Sequence, residues 1–384
     1  MPRFLSSDPP DRHSRNAALA MALALPTDVV LYLLLPMFSE QFGVSLVEAG
    51  VLLAANRLIR IAGYGYIARL YARHGDRLIC TLAVIASGFC AIGYATFSGL
   101  WALLPLRLLW GLAFAALNLS TQALATADAA GASRRSGKSR AFIALGPAIA
   151  LPAAAILAYF FGPRVIFWVL AITAFMGVFA TRALPSHDYP LPSKRRGPGL
   201  PNSLDMWSFL EGFTLDGLFI IGLSYLGSDL FPGGAVMTAG ILLALRYLGE
   251  IVLSPMGGRL AERFGAEKLL LVLSLMTAAS LIGFGAGWLW SCAACIVILR
   301  ALQLPLLPPI VARRTPGPDR VQALASRSIW RDIGAGTGPL AAGLLLPLMS
   351  PLWLYGITAV LLVWAAAACV DKSSFFGQQK TQSS

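Results

Sequence analysis

Charge is scarce in this chain. Of its 384 residues only 12% are Asp, Glu, Lys or Arg, against 57% hydrophobic, whereas a soluble domain carries about a quarter charged residues. That shortage excludes an ordinary water-soluble enzyme. Histidine is scarcer still. His13, His74 and His187 are the three present, and all fall in the polar tail or in polar loops, which argues against a histidine-built metal or haem site in the apolar stretches. Cysteine is confined to Cys80, Cys90, Cys292, Cys295 and Cys369, in or at the ends of apolar runs, where a thiol packs as a small apolar group. Cys292 and Cys295 form a C-x-x-C, but with no second pair, so packing is favoured over redox or zinc chemistry. No cofactor is expected.

Hydrophobic sequence fills the space that charge leaves. The mean hydropathy is +0.71, and apolar runs lie near residues 17–38, 47–68, 78–98, 101–126, 141–161, 164–183, 207–227, 235–257, 268–287, 290–312, 329–349 and 352–370. At roughly 20 residues per crossing, these predict twelve transmembrane helices, an all-α membrane protein whose remaining length suffices only for tails and short loops. The first run is longer than a signal-peptide core and lacks a convincing cleavage site, so it reads as a retained span.

The net charge of +12 is accounted for by topology rather than by nucleic acid. Basic residues of the tail and of alternate loops, from Arg3, Arg12 and Arg15 through Arg69, Arg73, Arg77, Arg134, Arg135, Lys138 and Arg140, fall on one face. So do Lys194–Arg196, Arg259, Arg263, Arg313, Arg314, Arg327 and Arg331, while the opposite loops hold only Arg164. The positive-inside rule then predicts both termini on the cytoplasmic side of the inner membrane. The longest connection contains Pro185, Pro190, Pro192, Pro198 and Pro201 and reads as a flexible linker. The expected organisation is a tail over 1–16, a six-helix bundle over 17–183, a linker over 184–206, a second bundle over 207–370 and a tail over 371–384. Residues 49–80 align without gaps on 239–270, pairing Arg69 with Arg259 and Gly75 with Gly265. This internal duplication is the pattern of a transporter with its site between two halves.

The loop Gly258-Arg259-Leu260-Ala261-Glu262-Arg263-Phe264-Gly265 resembles the G-x-L-a-D-r-x-G signature of the major facilitator superfamily, with Glu for Asp. Its first copy, Ala68 to Gly75, keeps Leu70, Arg73 and Gly75 but has Ala72 at the acidic place. Leu103-x-x-x-Arg107-x-x-Trp110-Gly111 resembles a second family motif, repeated as Ile296-x-x-x-Arg300-x-x-Gln303. Gly146-Pro147 and Gly338-Pro339 are similar to the Gly-Pro motif of family antiporters. The resemblance implies two pseudo-symmetric bundles, alternating access, a monomer, and a small-molecule substrate exchanged against protons. Its Gly-Pro element favours export; proton-coupled uptake is the other reading. An intramembrane enzyme finds no catalytic set here, and a sensor finds no output domain.

Charges inside the spans carry the functional expectations, because a buried charge costs several kcal/mol unless paired or wet. Asp28 and Asp216 occupy corresponding places in the two halves. The family resemblance places Arg107 beside the first helix, so Asp28, Arg107 and Asp216 form the expected proton-coupling set, with fixed pairing to an arginine as the alternative. Asn56, Arg57, Arg60, Glu211, Arg246, Glu250 and Arg300 are the expected substrate-cavity residues. Arg57 and Arg60 equally suit a role holding the second and eighth helices together. Five span arginines against four acids favour an anionic or zwitterionic substrate, since the guanidinium fork suits carboxylate or phosphate. Arg69, Arg73, Gly75, Gly258, Glu262, Arg263 and Gly265 are expected to form a conformational latch, with Glu262 facing the helix start near Arg140. In the degenerate first copy Asp76, or an Arg73–Asp332 pair, is expected to substitute. Gly334, Gly336, Gly338 and Gly343 read as close helix packing.

Overall fold

The computed structural model describes residues 8–186, 201–226 and 234–370. The Lys194–Arg196 cluster, most of the linker prolines, Arg3 and the last residues of the chain lie outside the described residues.

Secondary structure among the described residues is helical throughout. Helix α1 (Pro9–Met37) is interrupted at Leu25 by Pro26, which cannot donate a backbone hydrogen bond. A helical stretch of 51 residues follows, Leu46–Thr96, which at 1.5 Å per residue is about 75 Å long and enough for two crossings. It breaks at Gly75, whose φ of 68° is left-handed and disfavoured for a residue with a Cβ. The two parts are α2 (46–74) and α3 (76–96). Helices α4 (Leu100–Ala125), α5 (Ala132–Phe161) and α6 (Val165–Arg182) complete the first half.

In the second half, α7 (203–226) carries a π-helical turn over Gly212–Leu218, and α8 (Gly234–Phe264) ends at Gly265, the repeat counterpart of Gly75, with φ 86°. Then come α9 (Ala266–Gly285), α10 (Leu289–Arg314, with a break after Gln303), α11 (Arg320–Leu345) and α12 (Pro351–Ala368). Nine helical stretches among the described residues are long and apolar enough to cross a membrane, Leu46–Thr96 counting as one. Helix α11 is not among them, because Arg320, Arg327, Arg331 and Asp332 make it too polar.

Several helices begin earlier than the apolar runs. Helix α1 starts at Pro9 rather than near 17, α5 at Ala132 rather than 141, α11 at Arg320 rather than 329, and α7 at Ser203, inside the expected linker. The reason is physical: hydropathy marks the hydrocarbon crossing, while capping marks the helix. Asn202 accepts the Asp205 amide at 2.9 Å, and Asp205 accepts the Asn202 amide at 3.3 Å, a capping box that starts α7 in polar sequence.

The two halves pack alike. Helix α1 lies against α5, α6 and α4; in the second half α7 lies against α11 and α12, and α9 against α10 and α12. Large apolar side chains such as Trp101, Tyr159, Phe179, Trp353 and Trp364 point outward, as required where the surrounding solvent is lipid. Between the halves, α5 packs on α8, and α11 on the α2–α3 stretch. All these packed helices satisfy their own backbone, leaving buried side-chain charge as the feature that demands an explanation.

Candidate functional site

Asp28 lies in the first helical turn that follows the Leu25 interruption, two residues past Pro26, and is 5% exposed. Arg107 reaches it from α4 at 2.5 Å, and Asn56 of α2 donates to the same Oδ1 at 2.9 Å. The Arg107 Nε donates to the Leu52 carbonyl at 3.1 Å, and the guanidinium sits over the Tyr32 ring. Three helices thus converge on one carboxylate that holds one cation and one neutral amide. Asn56 is fully buried against it and supports Asp28 rather than lining open space.

The second half repeats the device with more charge. Asp216 projects from the π-helical turn, a local unwinding that re-aims side chains. Arg300 of α10 binds it at 2.7 Å, Arg246 of α8 approaches at 3.5 Å, and Arg331 of α11 also donates to it. Glu250 accepts from Arg300 at 2.9 Å and lies 3.4 Å from Arg246, while Glu211 accepts from Arg331 at 2.9 Å. Three carboxylates and three guanidiniums form one network. Asp216 is therefore not joined to the Asp28–Arg107 pair; each half holds its own ion-pair centre. The Arg246 and Arg331 side chains remain 25% and 21% exposed, so the network is open along one edge.

Arg60 and Arg57 contradict one expectation. They do not hold α2 to α8. Arg60 pairs with Asp332 of α11 at 3.0 Å and lies over the Phe114 ring at 4.3 Å, and Arg57 donates to the Ala335 carbonyl. The repeat axis sets α2 against α11, across the halves, so the repeat counterparts Arg60 and Glu250 never meet. The Arg73–Asp332 pair is likewise absent, because Asp332 is buried with Arg60 while Arg73 is exposed. Asp76 is buried and accepts hydrogen bonds from Tyr71 and from Ser120 at 2.8 Å.

Glu262 meets α5, but at Arg134 rather than near Arg140, since α5 begins at Ala132. Its carboxylate accepts the Arg134 amide at 3.3 Å, at a helix start where unpaired amides and the helix dipole favour an anion. Gly258 makes this approach possible, because a Cβ there would collide with the Ser133 carbonyl. Arg69 folds back on the Gly65 carbonyl and Arg263 lies over Phe264, both at the surface. Three further contacts between the halves lie toward the same end, while Arg60–Asp332 and Arg57–Ala335 lie deeper along α2 and α11. Arg320 donates to the Thr126 carbonyl at 2.7 Å, Arg327 to Gln122 at 3.2 Å, and Gln122 to Ser328 at 3.4 Å.

The Gly-Pro elements have matching surroundings. A Cβ on Gly146 would strike the Ala22 carbonyl of α1, and one on Gly338 the Phe213 carbonyl of α7. Pro147 and Pro339 follow within α5 and α11. Gly334 packs on Phe209 in the same way, but Gly336 and Gly343 face open space, so the close-packing expectation holds for only part of the glycine run. Tyr64, Trp110, Trp207 and Phe219 are core residues.

Most of the described basic-face residues lie on helices rather than in loops, among them Arg140 on α5 and Arg327 and Arg331 on α11. A signal for the latter two was present. Positions 327, 331, 334 and 338 follow one helical face, the face on which Gly334 and Gly338 meet α7. The apolar run over 329–349 holds three of these positions and leaves out Arg327.

Comparison with known proteins agrees with this architecture. The Major Facilitator Superfamily profile matches residues 17–231 and 206–374. An uncharacterized MFS-type transporter of Mycobacterium tuberculosis is 36% identical over 118 residues, 29% of this chain and 28% of the relative, so the match spans little more than a quarter of that protein. The uncharacterized MFS-type transporter YhjO of Bacillus subtilis is 26% identical over 133 residues, 34% of this chain and 33% of the relative. The crystal structure of the human organic anion transporter MFSD10 superposes with a TM-score of 0.79 at 17% identity, covering 95% of this chain and all of that one, a likeness of fold. With the profile covering nearly all the described helices, the chain belongs to the major facilitator superfamily.

Proposed function

We propose that this transporter exports a small anionic or zwitterionic organic molecule in exchange for protons, by alternating access across the cytoplasmic membrane with both termini inside. The observation that carries the reading is the buried Asp28–Arg107 pair. A carboxylate held by one guanidinium and one amide, beside a helix interruption, gives up a single ion pair when the surroundings shift. A proton then replaces the cation. Asp216, held by three guanidiniums, must lose several partners at once, so coupling is assigned to Asp28 and Arg107, and Asp216 to the scaffold of the second half. This departs from the expectation that placed Asp216 in the coupling set.

Glu262–Arg134 and Arg320–Thr126 join the halves at the end that carries the basic loops, and Arg60–Asp332 joins them deeper in. With that face in the cytoplasm, these contacts close the inner side, and Arg246 and Arg331 keep part of their side chains exposed. Arg246, Arg300 and Glu250 are proposed to contact cargo, and Glu262 to latch the closed face. Export rather than uptake rests on the Gly-Pro elements at the α1–α5 and α7–α11 contacts.

The test compares metabolites inside and outside cells with and without the gene, restored by wild type or by Asp28→Asn. Loss of the gene is expected to raise an organic anion inside the cells, with Asp28→Asn unable to reverse it. Intracellular depletion instead overturns export, and full restoration by Asp28→Asn overturns the coupling role.

A further inference from the structure

On the basic face the ends of α1 and α5 enclose a cleft. Helix α1 starts at Pro9 and α5 at Ala132, both well before their apolar runs near 17 and 141. Each helix therefore presents about two polar turns at the level of the lipid headgroups before it enters the hydrocarbon. The two helices pack against each other, and between their polar turns lies about 330 Å³ of free space that opens to solvent. Arg15, Arg135 and Lys138 line it against a single carboxylate, Asp11. That carboxylate is 3.7 Å from Arg135 and 3.9 Å from Arg134. Arg135 is itself occupied, since it donates to the carbonyls of Ala125 at 3.0 Å, Ala130 at 2.7 Å and Asp128. Arg15, half-buried, takes part in no hydrogen bond or ion pair among the described residues.

One face of α5 leads from this cleft along the membrane-spanning part of the helix. Lys138, Phe142, Leu145, Ile149 and Ile156 follow one another at intervals of four, three, four and seven residues, the spacing of a single helical face. Phe142 is the apolar edge of the cleft, and Leu145, Ile149 and Ile156 below it are 39%, 70% and 59% exposed. The opposite face, with Ile143, Pro147, Ala150 and Ala154, is buried. A basic cleft at headgroup level thus continues into an exposed apolar track. Its outline is that of a phospholipid, with an anionic head above a hydrocarbon chain, and basic clefts between spans on the positive side of a membrane suit anionic headgroups.

We propose that the cleft between α1 and α5 binds the phosphate headgroup of an anionic phospholipid, with an acyl chain lying along the Phe142–Ile156 face. Arg15 and Lys138 hold the phosphate oxygens, the first as a planar fork and the second as a point charge. Asp11 and Arg135 engage each other and the turn before α5, and so form the wall behind them. A zwitterionic lipid is disfavoured, because its own cation finds only Asp11, which is already shared between two arginines. Every residue lining the cleft belongs to the first half, so the site stays whole as the halves rock, whichever way cargo moves.

The experiment uses the full chain purified in detergent and titrated with dioleoyl phosphatidylglycerol or dioleoyl phosphatidylcholine, with bound lipid counted by native mass spectrometry. Phosphatidylglycerol is expected to bind about tenfold or more tightly than phosphatidylcholine, and a roughly thousandfold excess of inorganic phosphate, which has no acyl chain, is expected not to displace it. Arg15→Gln and Lys138→Gln are each expected to weaken phosphatidylglycerol binding by about fivefold. Both residues are partly exposed, so the variants are expected to fold, and their melting temperatures without lipid check this. Arg313→Gln, exposed on the same basic face but outside the cleft, is expected to bind the lipid like wild type. Equal binding of the two lipids, unchanged binding by both Arg15→Gln and Lys138→Gln, or an equal loss in Arg313→Gln overturns the site. Displacement by inorganic phosphate overturns the lipid as its occupant and leaves a soluble phosphate in its place.

Discussion

Asp28 and Arg107 meet at 2.5 Å in the first half as Asp216 and Arg300 meet at 2.7 Å in the second. The same pair of positions is therefore used twice, on helices related by the internal repeat. What differs is the third partner: the neutral Asn56 stands where the second half has Arg246. The two acids consequently have different jobs, and their variants should fail differently.

Asp28→Asn keeps the shape of its site and its contact with Asn56. It leaves the fully buried Arg107 without its only carboxylate, and breaking a buried pair costs about 3–5 kcal/mol, so it is expected to lower the melting temperature and to lose transport driven by a pH gradient. Asp216→Asn leaves Arg246, Arg300 and Arg331 with Glu211 and Glu250 still in place. A drop in melting temperature for Asp28→Asn at least as large as for Asp216→Asn is the expected result in detergent thermal unfolding, with pH-driven transport retained only by Asp216→Asn. Loss of pH-driven transport by both variants alike would contradict the division of roles.

Arg60 and Asp332 tie α2 to α11 across the halves. Asp332→Asn is expected to shift the conformational balance toward the state open at the basic face, by about tenfold or more given the worth of a buried pair. Distances between spin labels on the two halves measure this. The exchange Arg60→Asp with Asp332→Arg should restore much of the closed population, which neither change does alone.

Glu262 contributes less, because it sits at an exposed helix start, where such contacts are worth about 0.3–1 kcal/mol. Glu262→Gln should therefore move the same equilibrium by only about two- to fivefold. The spin-label distances again report it, and an unchanged distribution removes Glu262 from the latch.

Two glycines of α11 make a matched pair. Gly338→Ala drives a methyl group into the Phe213 carbonyl, while Gly336→Ala enters open space. The first is expected to destabilise by about 1–3 kcal/mol through overpacking. The second should be neutral or stabilising by up to about 1 kcal/mol, since alanine is the better helix former. Thermal unfolding of the two variants side by side separates packing from propensity.

Much of the fold is legible in the order of residues. Apolar runs mark the crossings, and the spacing of Gly75 and Gly265 marks the repeat, whose two breaks both have positive φ. The capping box at Asn202 was also readable, although the apolar run beginning at Trp207 obscured it. The ion-pair centres were readable only in part. Asp28, Asp216, Arg107 and Arg300 stand out because each interrupts an apolar run, whereas Arg140, Arg327, Arg331 and Asp332 lie where polar sequence grades into a span and look like loop residues.

What the sequence determined by itself is how many times the chain crosses, which loops share the basic face, and that one half repeats the other. These are properties of neighbouring residues, written in hydropathy and charge along the chain. Tertiary structure decided which charges meet. Arg60 finds Asp332 across 272 positions, and no local pattern encodes that distance, because the pairing follows from how two bundles face each other.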